Sequence, residues 1–392
     1  MRRVLKKKVV AAVFFVTVLF LGAIMQWHWT GKEMVLVVKE QARQGIQIKE
    51  FVAKIENVVN EKLVGKSALV EGYGFVQRLL GKQEEHDFEV VQDQEGNLHQ
   101  MEFATGPKKV VSDAKKVQKF QKKVEAQGTK VLYVMAPDKY IKGHTKLENG
   151  LPYDYANETA DHFLAAVSAR GVDCIDLRSW LPEAIATQDA LFYKTDHNWT
   201  TQTAFFMFGK LTEELANQYG MKCSNAKQYT DIKQYNQITY PDLFVGSLGR
   251  KTGLLYGGVD DFTVLYPKFE TEYTVIRTIG QSTIKSEGTF DEVLLNGAAL
   301  RTKGNSYGTY LYGEQGLIHI KNHNNTKGPK VLIVKDSMFT PVAAFLSTLC
   351  SELYVVDPNY YEGSISEYAT AIQGLDYVLL AFAPKSLSAF SN

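Results

Sequence analysis

Five short apolar runs punctuate the chain: "KVLYVMAP" (130–137), "VDCIDL" (172–177), "KVLIVKDSM" (330–338), "ELYVVDP" (352–358) and "LDYVLLAFAP" (375–384). Runs this short and this apolar, bounded by turn residues, read as strands buried on both faces. Between them lie stretches of helical period: "SDAKKVQKFQKKVEAQG" (112–128), "NETADHFLAAVSARG" (157–171) and "TTQTAFFMFGKLTEELANQYG" (200–220). Asn157 and Gly171 read as the caps of the second of these. Strands joined by helices of this length run parallel, so the expected fold class is α/β, a parallel sheet with helices on both faces. The rhythm breaks between about 222 and 328, where "YTVIRTIG", "EVLLNGA" and "GLIHIKN" predict an inserted β-rich segment or cap.

The amino-terminal part obeys another grammar. Residues 1–8 carry five basic side chains and form a basic tail. An uncharged run from Val9 to Met25 follows, then Trp27 and Trp29. Seventeen helical residues rise about 25 Å, near the lower limit for crossing a hydrocarbon core. The basic flank and the aromatic belt predict an uncleaved signal anchor over 9–26, with the remainder outside the cytoplasm. A cleaved signal peptide is the alternative, although no small-x-small site precedes the tryptophans. Residues 27–109 read as membrane-proximal helices and a hairpin turning at Asp93–Gly96, and 110–392 as the α/β domain.

Charge is balanced at 44 basic against 43 acidic residues, so no global field draws the chain to nucleic acid. Cys174, Cys223 and Cys350 have no metal-type spacing, and neither do the scattered histidines. No metal or cofactor is expected.

Two segments carry chemistry. "FYKTDHNWTT" (192–201) sets Asp196, His197 and Asn198 between aromatics, and "VKDSMF" (334–339) places Ser337 at a strand-to-helix turn. In open α/β sheets, sites gather beyond the carboxyl ends of strands. A serine there is a weak nucleophile until a base takes its proton, and histidine suits that task near neutral pH. By position alone, Asp336 and Ser337 read equally as helix caps. "GSLGRKTG" (246–253) fails as a phosphate loop, because Arg250 stands where that motif needs glycine. Arg250 is either a substrate contact or part of a solvated turn. Tyr193 is a candidate sugar platform, and Trp199 reads as packing.

"LFYKTDHNWTT", "VLIVKDSMFTPVAAFL" and "ELYVVDPNYYEG" together resemble the DHHW family of SGNH-hydrolase-like proteins, relatives of the alginate O-acetyltransferases. "EKLVGKSALVEGYGFVQRLLG", "KVLYVMAPDKYIKG" and "GLDYVLLAFAP" extend the resemblance from about residue 50 to the end. It implies an SGNH-like sheet and an exported polysaccharide O-acyltransferase, probing a serine–histidine–aspartate triad in which the acid and base precede the serine. Ser337 is then the nucleophile, His197 the base and Asp196 the carboxylate. Beside this triad, Tyr193, Asn198 and Arg250 are the candidate substrate contacts. The implied partners are a membrane-bound O-acyltransferase as acyl donor and a polysaccharide acceptor.

The chain departs from the family at one position. The family base stands two residues after the aspartate, where this chain has Asn198, and an amide is a poor proton acceptor. Three arrangements stay open. His197 can turn into the base position, a distant imidazole such as His323 can serve, or the site can be a degenerate glycan-binding one. A carbohydrate esterase is the further alternative.

Overall fold

The computed structural model describes residues 65–390 apart from Gln281, together with Lys54 and part of the stretch 16–39. The chain divides into two compact units, Met1–Phe75 and Val76–Asn392. In the first unit, residues 30–39 are helical. Most of the expected anchor over 9–26 lies outside the described residues. Among those described, no helix is long and apolar enough to cross a membrane. Helix α1 (Lys66–Leu79) runs across the sequence boundary between the units.

The second unit opens with three short antiparallel strands, β1 (Glu84–Glu85), β2 (Val90–Gln92) and β3 (Leu98–Gln100). The hairpin expected at Asp93–Gly96 joins β2 to β3, with Gln92 opposite Leu98. The main sheet has eight strands, in the order β5-β4-β13-β11-β12-β10-β8-β9. Its parallel half comprises β4 (Lys130–Met135), β5 (Asp173–Asp176), β11 (Lys330–Lys335), β12 (Glu352–Val356) and β13 (Tyr377–Phe382). These are the five runs that opened the sequence.

Alternation along each strand builds two cores. Leu132, Val134, Val331, Ile333, Leu379 and Ala381 face one side, under α5 (Thr201–Tyr219) and α7 (Thr340–Leu346). Val131, Tyr133, Leu332, Val334, Val378 and Leu380 face the other, under α2 (Val111–Glu125) and α3 (Ala156–Ser168). A short α4 (Leu181–Thr187) precedes the histidine segment. Helix α5 starts where Thr200 accepts the N–H of Thr203, and ends at Gly220, whose φ of 70° suits a residue without a side chain.

Three expectations need correction. The sheet is mixed, not wholly parallel. The inserted segment contributes β8 (Tyr273–Ile279), β9 (Ser282–Gly288) and β10 (Leu317–Asn322) as an antiparallel extension of the same sheet. Ile318 and Ile320 continue the core of the parallel half, which favours that docking over a separate cap. Only β6 (Tyr235–Phe244) and β7 (Asp260–Pro267) stand apart, as a ribbon. "EVLLNGA" is also not a strand: Thr289 and Glu292 form a capping box that winds Phe290–Val293 into a helical turn. Similarly, α3 begins after Tyr155, so Asn157 lies inside the first turn and donates its amide to the Tyr140 carbonyl.

At the end of β11, buried Lys335 reaches Glu314 at 3.2 Å and Asp357 at 3.3 Å. Burial pushes the Glu314 carboxyl up to about 7, against the pull of the Lys335 ammonium and with help from Asp357. A carboxyl raised in the folded state stabilises at low pH and loses that contribution as pH rises from its unfolded value through about 7. Denaturant midpoints measured from pH 5 to pH 8 are therefore expected to fall less for Glu314→Gln than for the unmodified protein.

Candidate functional site

The two chemistry-bearing segments meet at the carboxyl ends of three adjacent parallel strands. A cleft of about 190 Å³ is lined by Asp138 and Lys139 after β4, by Asp336, Ser337 and Met338 after β11, and by Ala383, Lys385 and Ser386 after β13. His197 enters from the loop before α5, and His99 and Gln100 from β3. This is where the geometry of a parallel α/β sheet places a site.

The turn after β11 resolves the choice between cap and site by dividing it. Asp336 is the cap: its carboxylate accepts the N–H of Met338 at 3.1 Å and that of Ala383 at 2.7 Å. Burial raises its pKa, with the Ala383 N–H pulling the other way. The Ser337 hydroxyl is left for the cleft. The Ser337 N–H has no hydrogen-bond partner among the described residues.

The histidine loop is held by charges. Lys139 is buried, and its ammonium donates to the carbonyls of Tyr193 (2.6 Å), Lys194 (3.0 Å) and Asp196 (2.7 Å). Burial lowers its pKa to about 8, although Asp260 and Asp196 favour the charged form. From the other side, the Asp260 carboxylate accepts the N–H groups of Lys194 (2.6 Å) and Thr195 (2.9 Å) and the Thr195 hydroxyl (2.5 Å). Three carbonyls face a cation and two N–H groups face an anion, so the loop has one place to sit.

Against this loop packs α6 (Ser247–Thr252). A Cβ on Gly246 would lie 2.3 Å from the Asp196 Cβ, and one on Gly249 would lie 2.8 Å from the Thr195 Cβ, so neither position admits a side chain. That approach lets the Ser247 N–H reach the Asp196 carboxylate at 2.5 Å. Asp196 also accepts the N–H (2.9 Å) and side-chain amide (2.7 Å) of Asn198. Burial raises the Asp196 pKa, but the nearby His197 and these N–H donors outweigh it and hold the carboxyl below its ordinary value.

His197 Nε2 lies 3.3 Å from Ser337 Oγ, while its Nδ1 lies 3.2 Å from Ser247 Oγ and 3.4 Å from Asp196 Oδ1. Either partner can accept a hydrogen bond from an Nδ1–H, which leaves the Nε2 lone pair facing the serine. Adjacent side chains in regular structure diverge, but this irregular loop brings the His197 ring back to within 3.4 Å of the buried Asp196 carboxylate. The Ser337 hydroxyl has a second acceptor, Asn198 Oδ1, at 3.2 Å. The Asn198 amide is oriented by Asp196, since a carboxylate can only accept. One hydroxyl proton therefore chooses between an imidazole and an amide carbonyl.

Other sequence candidates lie elsewhere. His323 is bonded to Thr274 at 2.9 Å and does not line the cleft. Tyr193 is no sugar platform: it is buried, stacks near Phe244 and Phe262, and bonds Thr201. The Arg250 guanidinium donates to the Val245 carbonyl of its own turn and does not line the cleft. Asn198 is buried and committed to Asp196 and Ser337, not displayed to a substrate. Trp199 is fully buried and meets Phe339 edge to face at 5.3 Å, joining the two segments through the core. Sequence reasoning missed Lys139, Asp260 and Ser247. The closely spaced Gly246 and Gly249 were the one available signal for Ser247.

Lys139→Met is expected to leave three inward carbonyls without a donor and to cost on the order of 3 kcal/mol or more in urea denaturation. Lys139→Arg is expected to retain part of that stability.

Residues 97–243 match a family described as the SGNH hydrolase-like domain of acetyltransferase AlgX. Among solved structures, Bacillus cereus PatB1 with a sulfonyl adduct aligns with a TM-score of 0.62 at 17% identity, covering 76% of this chain and 95% of that one. A DHHW family protein from Eubacterium siraeum aligns with a TM-score of 0.55, also at 17% identity, covering 76% of this chain and 94% of that one. No curated protein matches the sequence. The α/β fold of this chain is thus SGNH-like, and its resemblance to the DHHW and AlgX-type SGNH-hydrolase-like proteins stands.

Proposed function

We propose that the chain is an O-acyltransferase, most simply an O-acetyltransferase, that acts outside the cytoplasmic membrane on a cell-surface or secreted polysaccharide. The observation that carries this reading is His197 Nε2 at 3.3 Å from Ser337 Oγ, in a cleft at the sheet's carboxyl edge. Ser337 Oγ attacks the donor's acyl carbon, and its proton passes to His197 Nε2. The donor's leaving group departs with that proton, leaving an ester on Ser337. A sugar hydroxyl then attacks the ester, giving its proton to His197, and the Ser337 oxygen leaves and takes the proton back. Asp196 and the Ser247 hydroxyl hold the ring and favour its charged form during both steps. The Ser337 N–H is the donor available to the developing oxyanion. The acyl donor in this reading is a membrane-bound O-acyltransferase. Water in place of the sugar would make the protein an esterase.

A second reading rests on Asn198. Its carbonyl competes with His197 for the serine proton at nearly equal distance, as expected of a degenerate site that only binds glycan. The two readings part on reactivity. With the full-length protein, a sulfonyl fluoride is expected to add one sulfonyl group to Ser337, and turnover of a chromogenic acetyl ester is expected to fall about a thousandfold or more in Ser337→Ala. Absence of labelling together with equal ester turnover by the variant would leave only the binding reading.

Asn198→His places a second imidazole between Asp196 and Ser337. If His197 is the working base of the natural protein, His197→Ala abolishes ester turnover, and adding Asn198→His to that variant restores it. Turnover untouched by His197→Ala would remove His197 from the mechanism.

A further inference from the structure

Beside the Ser337 cleft lies a larger groove of about 450 Å³, and the two share His99 and Lys139 as a common wall. His99 is 2% exposed. Its Nε2 lies 2.9 Å from Asp93, whose carboxylate also accepts N–H groups from Glu95, Asn97 and the Asn97 side chain. So fixed, Asp93 can only accept, which puts the ring proton on Nε2 and leaves Nδ1 a bare acceptor. Burial lowers the His99 pKa despite Asp93, which keeps that lone pair free. Nδ1 is buried and has no partner among the described residues. An acceptor held this rigidly without a donor is costly, and a buried group of this kind calls for a specific partner.

The groove's own chemistry states what that partner can be. Its rim carries two carboxylates, Glu95 and Asp189, both exposed and without an ion pair among the described residues, against a single imidazole, His144. Gln188 adds hydrogen-bonding capacity, and Ile185 and Leu191 add apolar surface suited to the C–H face of a sugar ring. The cation in the wall, Lys139, has given its three protons to loop carbonyls and has none for a ligand anion. Such a lining repels carboxylates and accepts hydroxyl or ammonium groups.

We infer that this groove receives the acceptor glycan, that the glycan is neutral or carries amino sugars and not uronates, and that His99 Nδ1 accepts a hydrogen bond from one of its hydroxyls. The inference rests on the proposed function only for the word acceptor; the binding itself stands without acyl transfer.

Calorimetric titration of the full-length protein in detergent with cellopentaose, a glucosamine pentamer and a mannuronate pentamer tests it. The first two are expected to bind, the uronate at least tenfold more weakly. His99→Gln keeps a donor for Asp93 but has no counterpart of Nδ1, and it is expected to weaken binding about fivefold. Equal affinity for the uronate, failure of all three pentamers to bind, or unchanged affinity in His99→Gln overturns the inference. Should that variant fail to fold, ¹⁵N-histidine spectra of the unmodified protein serve instead. The His99 Nδ1 resonance is expected to shift on addition of the bound pentamer, and no shift overturns the inference. Loss of ester turnover with pentamer binding intact would count against the acyl-transfer reading alone.

Discussion

The site depends on one buried ammonium. Lys139 gathers the carbonyls of Tyr193, Lys194 and Asp196 around its three protons, while Asp260 takes N–H groups of the same loop. An irregular loop at the end of a sheet has no ladder to satisfy its peptide groups, and those groups are expensive to bury unpaired. Here the charges replace the ladder. They also fix the direction in which residues 196 to 198 face, and so where an imidazole can meet Ser337. The desolvation that brings Lys139 down to about 8 is the cost of this arrangement.

The sheet and the site were legible to different depths. The five apolar runs showed the parallel half because burial on both faces leaves an unbroken hydrophobic record. The mixed extension was not legible as such: β8 and β10 read as strands, but the neighbour each pairs with is set by shape and not by its own residues. Ser337, His197 and Asp196 could be picked out as residue types and are adjacent in space. Their supports could not: Lys139, Asp260 and Ser247 lie 50 or more positions from the groups they hold. Tyr193 and Arg250 read as polar groups near a motif, but their polar ends are consumed by Thr201 and by the Val245 carbonyl.

Asn198 marks where this chain differs from its resemblances in physical terms. Its amide closes a hydrogen-bonded path from Asp196 to Ser337 that has the layout of a relay and lacks a group able to take a proton. The imidazole next to it faces the same hydroxyl from a neighbouring direction, with Ser247 as an added contact on Nδ1.

The pairing of β10 with β12, from Leu317 opposite Val356 to Lys321 opposite Glu352, has a mechanical consequence. An insertion hung from a fold by two flexible connections is free to swing as a flap. This one is stitched rung by rung to β12, the neighbour of the strand that leads to Ser337, so rocking it would strip that stitching.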